Sequence, residues 1–232
     1  MIRRTVHDPE TAEALSPRGY PLGCQRPVLD TNYFETFNRD DVSLVDLGRE
    51  PIVEVEPTGI RTANRFVELD VLVLATGFDA GSGALTRIDI RGRGGRSLKD
   101  EWAQEIRTTM GLQVHGYPNL FTTGAPLAPS AALCNMTTCL QQQVDWITGC
   151  LLAMRDKGQR VIEPSRELQD AWVAHHDETA NATLVVKTDS WYMGSNVPGK
   201  PRRLLSYRGG VGNHRSRCEE VAASGYAGFV FA

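Results

Sequence analysis

The chain has 232 residues, 41% of them hydrophobic and 23% charged, the composition of a globular protein of one large domain or parts of two. Its 25 Lys and Arg against 28 Asp and Glu leave a net charge of −3, so it lacks the basic field that nucleic acid or an anionic membrane surface would require. No segment has the length to span a bilayer, the first ten residues hold no apolar signal core, and Cys24, Cys134, Cys139, Cys150 and Cys218 show no paired spacing, so reduced thiols in a soluble cytoplasmic protein are expected.

In chain order, residues 1–19 read as helical, with Asp8-Pro9-Glu10 as cap and first turn and Gly19 past the end. Tyr20 to Pro27 is an ordered loop rich in Pro and Gly; Arg26 lies in it without an acidic neighbour before Asp30, and reads by itself as a surface charge. Tyr33, Phe34 and Phe37 are expected to pack, and Val42 to Leu47 alternates like a half-buried strand. Ile52–Glu56, a turn at Pro57 to Gly59, Ile60–Thr62 and Phe66–Leu69 form a small meander. It leads into Leu69 to Ala75, an apolar, β-branched run expected to be a strand buried on both faces. The run ends in Ala75-Thr76-Gly77, where small residues let a ligand or another backbone approach, as at the carboxyl ends of strands in open α/β sheets. A plain buried strand ending in a turn is the alternative.

Neither Arg91-Gly-Arg-Gly-Gly-Arg96 nor Ser206-Tyr-Arg-Gly-Gly-Val-Gly-Asn213 has GxGxxG spacing, so no dinucleotide fingerprint is found. Tyr117 to Gly124 reads as a turn into a second short buried strand. The clearest helix follows Asn135-Met136, with Leu140, Val144, Ile147, Leu151 and Met154 as its apolar stripe and Gly158 as its stop. Its N-terminus follows small residues and suits the electronegative edge of a ligand. A helix after Pro164 should place Leu168, Trp172 and Thr179 on one face. His175 and His176 are neighbours, not an i, i+4 zinc pair, and no metal site is expected; nor is there a Gly-x-Ser-x-Gly elbow. Thr188 to Arg203 joins two large aromatics, two glycines, two prolines and cations in a loop that is either a ligand clamp or an exposed connection. A short helix, Asn213 to Ser224, and a strand, Tyr226 to Phe231, close the chain.

Several of these stretches, taken together and in order, resemble type I Baeyer–Villiger monooxygenases, which include the phenylacetone and cyclohexanone monooxygenases. They are Gly-x-x-Arg-Pro with Asp-Thr-Asn-Tyr-Phe-Glu-Thr-Phe-Asn-Arg-Asp-Asp-Val, Ala-Thr-Gly-Phe-Asp-Ala, Asp-Ile-Arg-Gly, Ser-Trp-Tyr-Met-Gly-Ser-Asn-Val-Pro-Gly-Lys-Pro-Arg and Gly225-Tyr-Ala-Gly-Phe. The resemblance runs over essentially the whole chain and matches a C-terminal portion of the family, whose two GxGxxG motifs lie upstream. It implies an α/β fold that is part of a flavoprotein with two dinucleotide-binding domains. Residues 1–76 would be the end of the NADP domain, Ala75-Thr76-Gly77 the crossover, and residues 77–232 the C-terminal part of the FAD domain, with a mobile loop at about 188–204.

The implied chemistry uses FAD and NADPH to insert one oxygen atom of O₂ into a small ketone, giving an ester or lactone. Arg26 matches the active-site arginine, whose fixed charge and several donors suit an oxyanion, and it also faces NADP. Gln25 stands where the family usually has a lysine near the 2′-phosphate of NADP. Trp191 matches the tryptophan of the loop that folds over NADP. Asn135 and Met136 match the segment touching FAD, and Ala125-Pro126 replaces the family's usual Gly-Pro. Apolar faces left uncovered would favour association. The competing expectation is a truncated, non-catalytic remnant that binds at most a nucleotide or a partner chain.

Overall fold

The computed structural model describes residues 1–130 and 134–232, and the chain folds as two units: 1–20 with 27–77, and 21–26 with 78–232. In the first unit the helical stretch expected over residues 1–19 is two short helices, α1 (Ile2–Thr5) and α2 (Pro9–Ala14), so that Gly19 is not its stop, while the cap at Asp8 forms as read. The Asp8 carboxylate accepts the Thr11 N–H at 2.7 Å and Pro9 fills the first helical position, where its missing N–H costs nothing. A third short helix, α3 (Tyr33–Thr36), is tied back by Asn38, whose side chain donates to Thr5 O and accepts from His7 N, both at 2.8 Å. Tyr33 packs edge-on against Phe34 and Phe37, with ring centroids 5.3 Å apart in each case, yet stays more than half exposed.

The meander forms as expected, with β1 (Ile52–Glu56), β2 (Gly59–Thr62) and β3 (Phe66–Glu68) paired antiparallel. Gly59 is required there, because a Cβ would lie 2.1 Å from Val67 O. The Glu50 carboxylate braces the sheet: Arg65 donates Nη2 at 2.6 Å and Thr62 its hydroxyl, and together they hold its pKa down at about 2.

Two strand expectations fail in this unit. Val42 to Leu47 forms no strand. Nor does Leu69 to Ala75, where Val71, Val73 and Leu74 are 74, 79 and 75% exposed. A buried strand is defined by neighbours on both edges and layers on both faces, and none of the described strands pairs with this run.

The second unit is helical, with one small sheet, so the described residues mix helix and sheet, as an α/β chain does. Its helices are α4 (Gly83–Thr86), α5 (Leu98–Gln104), α6 (Met136–Asp156), α7 (Arg166–Asn181) and α8 (Val211–Ala223). Side chains of Ser97, Asn135 and Ser165 cap α5, α6 and α7. Strand β4 (Ile162–Pro164) pairs antiparallel with β5 (Phe229–Phe231). Around Leu98, Trp102, Leu112, Trp146, Ile162 and Trp172 these elements share one apolar core.

Three further corrections concern this unit. The buried face of α6 is Cys139, Gln143, Trp146, Cys150 and Met154, while Val144 and Leu151 are nearly half exposed. The helix is apolar on two sides, and its rotation is fixed by Trp146, which donates Nε1 to Cys218 O at 2.8 Å and meets Tyr226 edge-on at 5.5 Å. Leu120 to Thr123 turns without becoming a strand; Asn119 adopts φ 60° and Thr122 N bonds to Leu112 O at 2.8 Å instead. Finally, Cys134 and Cys139 are joined in a disulfide, because the first turn of α6 brings Cys139 back beside the residue preceding its cap. The remaining thiols, Cys24, Cys150 and Cys218, are free and buried; burial pushes Cys150 up to about 11 and Cys218 up to about 12, so neither is a nucleophile near neutral pH.

Candidate functional site

The site lies within the second unit and starts from a bond no local pattern announces. Cys24 is buried, and its carbonyl accepts the Ser190 hydroxyl at 2.7 Å. Ser190 also caps the single 3₁₀ turn Trp191–Met193 by accepting Tyr192 N at 3.2 Å. The Pro- and Gly-rich loop and the aromatic loop are therefore one construction, which carries Gln25, half-buried, and Arg26, exposed, beside Tyr192 and Trp191. Arg26 makes no ion pair among the described residues. Trp191 is 37% exposed and its ring meets that of buried Tyr192 at 4.2 Å. Burial raises the Tyr192 hydroxyl pKa, and the guanidiniums of Arg208 and Arg26 pull against that rise.

The base of the aromatic loop is fastened by cations. Lys200, only 5% exposed, pairs with Asp79 at 2.6 Å and donates to Ala80 O at 2.7 Å, while Asn196 donates to Phe78 O at 3.0 Å. Arg203 donates to Glu105 at 2.7 Å, to Ile106 O at 3.1 Å and to Asp177 at 2.5 Å.

Burial raises the Asp177 carboxyl pKa, but hydrogen bonds from His176 and Arg203 outweigh it and bring it down to about 2. A carboxyl lowered on folding contributes stability that is present above its ordinary pKa and lost as pH falls through the folded value. Thermal denaturation of the wild type should therefore show a stability loss of about 1 kcal/mol between pH 4 and 2, discounted for the exposure of Asp177. Asp177→Asn should be less stable at neutral pH and flatter across that window; a parallel pH profile would dissociate Asp177 from the clamp.

Above this base a cavity of about 140 Å³ is lined by Ala80, Gly124, Met136, Trp191, Tyr192 and Ser206, among others. The structure thus brings Met136 and Trp191 to one cavity, which Arg26 does not line. Asn135 is exposed and does not line the cavity; its side chain caps α6 by accepting Thr137 N at 3.1 Å. Sequence reasoning missed Tyr192, Lys200 and Ser206. Tyr192 and Lys200 sit inside the Thr188 to Arg203 loop, whereas Ser206 lies in a stretch whose only signal is the failed glycine pattern.

Gly124, at φ 62°, presents no side chain to the cavity, and a Cβ built there would reach Leu140 and Met136 at 3.4 and 3.5 Å. This apolar, aromatic slot at a helix N-terminus fits the edge of a planar ring such as a flavin. At 140 Å³ it is too small for a whole dinucleotide.

A larger groove, about 630 Å³, runs between α6 and α8 past Gln142, Asp145, Arg215 and Tyr226. It is open and collects no nucleophile or unpaired cation, so chemistry places the site at the smaller cavity. Among the described residues no three His, Cys, Asp or Glu converge on a metal-sized site, and no helix is long and apolar enough to cross a membrane.

No protein-family model matches the chain. It is 58% identical over 230 residues to the acetone monooxygenase (methyl acetate-forming) of Gordonia sp. (strain TY-5), covering 99% of this chain and 43% of that protein. Among solved structures it superposes on OTEMO in complex with FAD and NADP with a TM-score of 0.94 at 40% identity, covering 100% of this chain and 42% of that one. On the closed form of cyclohexanone monooxygenase the TM-score is 0.93 at 39% identity, over 100% and 43% of the two chains. The chain thus spans less than half the length of the relatives it matches. A collinear match of this identity and coverage, joined to a site built from the same stretches, identifies the chain as a member of the type I Baeyer–Villiger monooxygenases, corresponding to the C-terminal portion of such an enzyme.

Proposed function

We propose that this chain furnishes the arginine, the aromatic loop and the flavin-edge contacts of an FAD- and NADPH-dependent monooxygenase that converts small ketones to esters or lactones. The observation that supports this reading is the Cys24–Ser190 bond, which ties the loop carrying Arg26 to the turn bearing Trp191 and Tyr192, two residues that line a cavity with Met136. When bound, the flavin supplies the redox ring at which NADPH electrons and O₂ meet.

The chain's own residues do the rest. Arg26 donates hydrogen bonds to the developing oxyanion of the ketone adduct. Trp191 and Tyr192 cover the coenzyme face and exclude water, and Met136 with Gly124 leaves room for the ring edge. Residues 1–76 serve as the end of the NADP domain and 77–232 as part of the FAD domain. Asn135 contributes by fixing the start of α6.

Gln25 bears on coenzyme choice. An amide can bond to the 2′-phosphate but lacks the charge assistance that makes such bonds roughly twice as strong. Gln25→Lys should raise the NADPH preference by about tenfold for each 1.4 kcal/mol recovered. The ratio of kcat/KM for NADPH and NADH decides; an unchanged ratio would mean that position 25 does not read the coenzyme.

The test of the reading is a flavin titration. Because no phosphate-cradling fingerprint occurs in these residues, the chain alone should give no stoichiometric yellow complex with FAD and should self-associate through Val71, Val73 and Leu74. Replacing the matching portion of the Gordonia acetone monooxygenase with this chain should restore a visible flavin spectrum. A chimaera that folds but takes up no FAD would reject the proposal.

A further inference from the structure

The disulfide between Cys134 and Cys139 sits at the wall of the small cavity and ties no distant parts of the fold together. The two residues are five apart in sequence, with their Cα atoms 6.8 Å apart. The ring they close encloses Asn135, which caps α6, and Met136, which lines the cavity. On its other side Cys134 N donates to Ser130 O at 3.2 Å. Ser130 is also a lining residue, and its hydroxyl donates to Ser206 Oγ at 2.8 Å. One turn beyond Cys139, buried Gln143 accepts Gly124 N at 2.8 Å and so holds a further part of the lining.

Such a bond does little for global stability. Loop-closure entropy grows with the length of chain enclosed, and a ring this short gains least from it. Packing keeps Cys139 buried in any case, because it shares the inner face of α6 with Gln143, Trp146, Cys150 and Met154. What the ring fixes is local: the approach of the chain to the helix cap, and with it the position of Met136. The two sulfurs are also unequal. Cys139 is buried and Cys134 only half-buried, so a thiolate from solution reaches Cys134 first. The leaving sulfur is then that of Cys139, in the first turn of α6, where the positive end of the helix dipole favours a thiolate.

We propose that Cys134–Cys139 is a reversible thiol–disulfide exchange site whose state sets how firmly the Met136 wall of the cavity is held. Its reactants are low-molecular-weight thiols and their disulfides, with glutathione as the probe. In opening, a glutathione thiolate attacks Cys134 Sγ, the Cys134–Cys139 S–S bond breaks, and Cys139 leaves as a thiolate that takes a proton from water. A second glutathione thiolate attacks the glutathione sulfur of the mixed disulfide, releasing oxidised glutathione and the Cys134 thiolate. Two electrons thus pass from two thiols to the protein, and closure by oxidised glutathione runs the same steps backwards. Neither cysteine takes part in the oxygen-insertion chemistry.

The experiment equilibrates the full chain, under nitrogen, in buffers of reduced and oxidised glutathione. The thiols are then trapped with acid, alkylated and mapped by mass spectrometry. Cys134 and Cys139 should pass together from disulfide to dithiol, while Cys24, Cys150 and Cys218 stay reduced. The dithiol-to-disulfide ratio should rise about tenfold for each tenfold rise in squared glutathione over its disulfide. Trp191 supplies the coupled signal. It lines the cavity and is partly exposed, whereas Trp102, Trp146 and Trp172 are buried, so acrylamide quenching of fluorescence reads the cavity. Opening the bond should raise the quenching constant at least about twofold, and reclosing it should restore the original value.

Cys134→Ser and Cys139→Ser should each show the quenching of the opened chain at every glutathione ratio, with near-UV circular dichroism monitoring the fold. If Cys139→Ser, a change at a buried position, does not fold, Cys134→Ser decides alone. Equal quenching in the open and closed chain would overturn the proposal, since the bond would then not act on the cavity. So would a bond that glutathione opens only in denaturant, or two cysteines that never pair in the oxidising buffers.

Discussion

In an enzyme completed from this chain, Arg26→Ala should lower ester formation on the order of 10² to 10³-fold while leaving flavin content and fold unchanged. Arg26 is exposed and unpaired among the described residues, so its removal opens no core and strands no carboxylate. On the proposed reading, what disappears is the guanidinium that donates where negative charge develops. Arg26→Lys should recover only part of the rate, since the ammonium lacks the planar arrangement of donors. Ester yield per bound flavin, measured by gas chromatography, reads the effect. Near-normal turnover by the alanine variant would remove Arg26 from the chemistry.

The second large effect is structural. Lys200→Met should destabilise the second unit by about 3 kcal/mol and make the loop before it more open to proteolysis. The cost has two sources: Asp79, mostly buried, loses its counter-ion at 2.6 Å, and Ala80 O loses its donor at 2.7 Å. Asp79→Asn should cost less, because an amide can still accept from the ammonium. In the double variant the two losses should fall short of their sum, the sign of a shared interaction. Denaturant titration measures all three, and a Lys200→Met change within 0.5 kcal/mol of wild type, the usual range for surface substitutions, would show that the pair does not fasten the loop.

How much of this was legible in the sequence depended on how local the determining contacts are. The cap at Asp8, the meander from Ile52 to Glu68 and the helices after Asn135 and Ser165 are set by neighbours a few residues apart, and they form as read. Leu69 to Ala75 has the composition of a central strand, but its state depends on partners that local sequence does not supply. On α6 the apolar stripe through Val144 and Leu151 and the one through Trp146 and Cys150 are both plausible faces, and only the bond from Trp146 to Cys218, 72 residues away, selects between them. The Cys134–Cys139 disulfide bridges a helix start, where no spacing rule applies. At the site, Arg26 and Trp191 could be named from resemblance, but the Cys24–Ser190 bond that unites them spans 166 residues. Lys200 and Asp79 are 121 apart, and each reads alone as an ordinary surface charge.

Oxygen insertion by the chimaera tests the central claim most directly. With this chain in place of the matching portion of the Gordonia enzyme, acetone, NADPH and ¹⁸O₂ should yield methyl acetate carrying one ¹⁸O atom, and Arg26→Ala in the same chimaera should lower that yield on the order of 10² to 10³-fold. A chimaera that holds FAD and oxidises NADPH but forms no labelled ester would contradict the assignment of Arg26 and the Trp191 loop as the working half of a Baeyer–Villiger site.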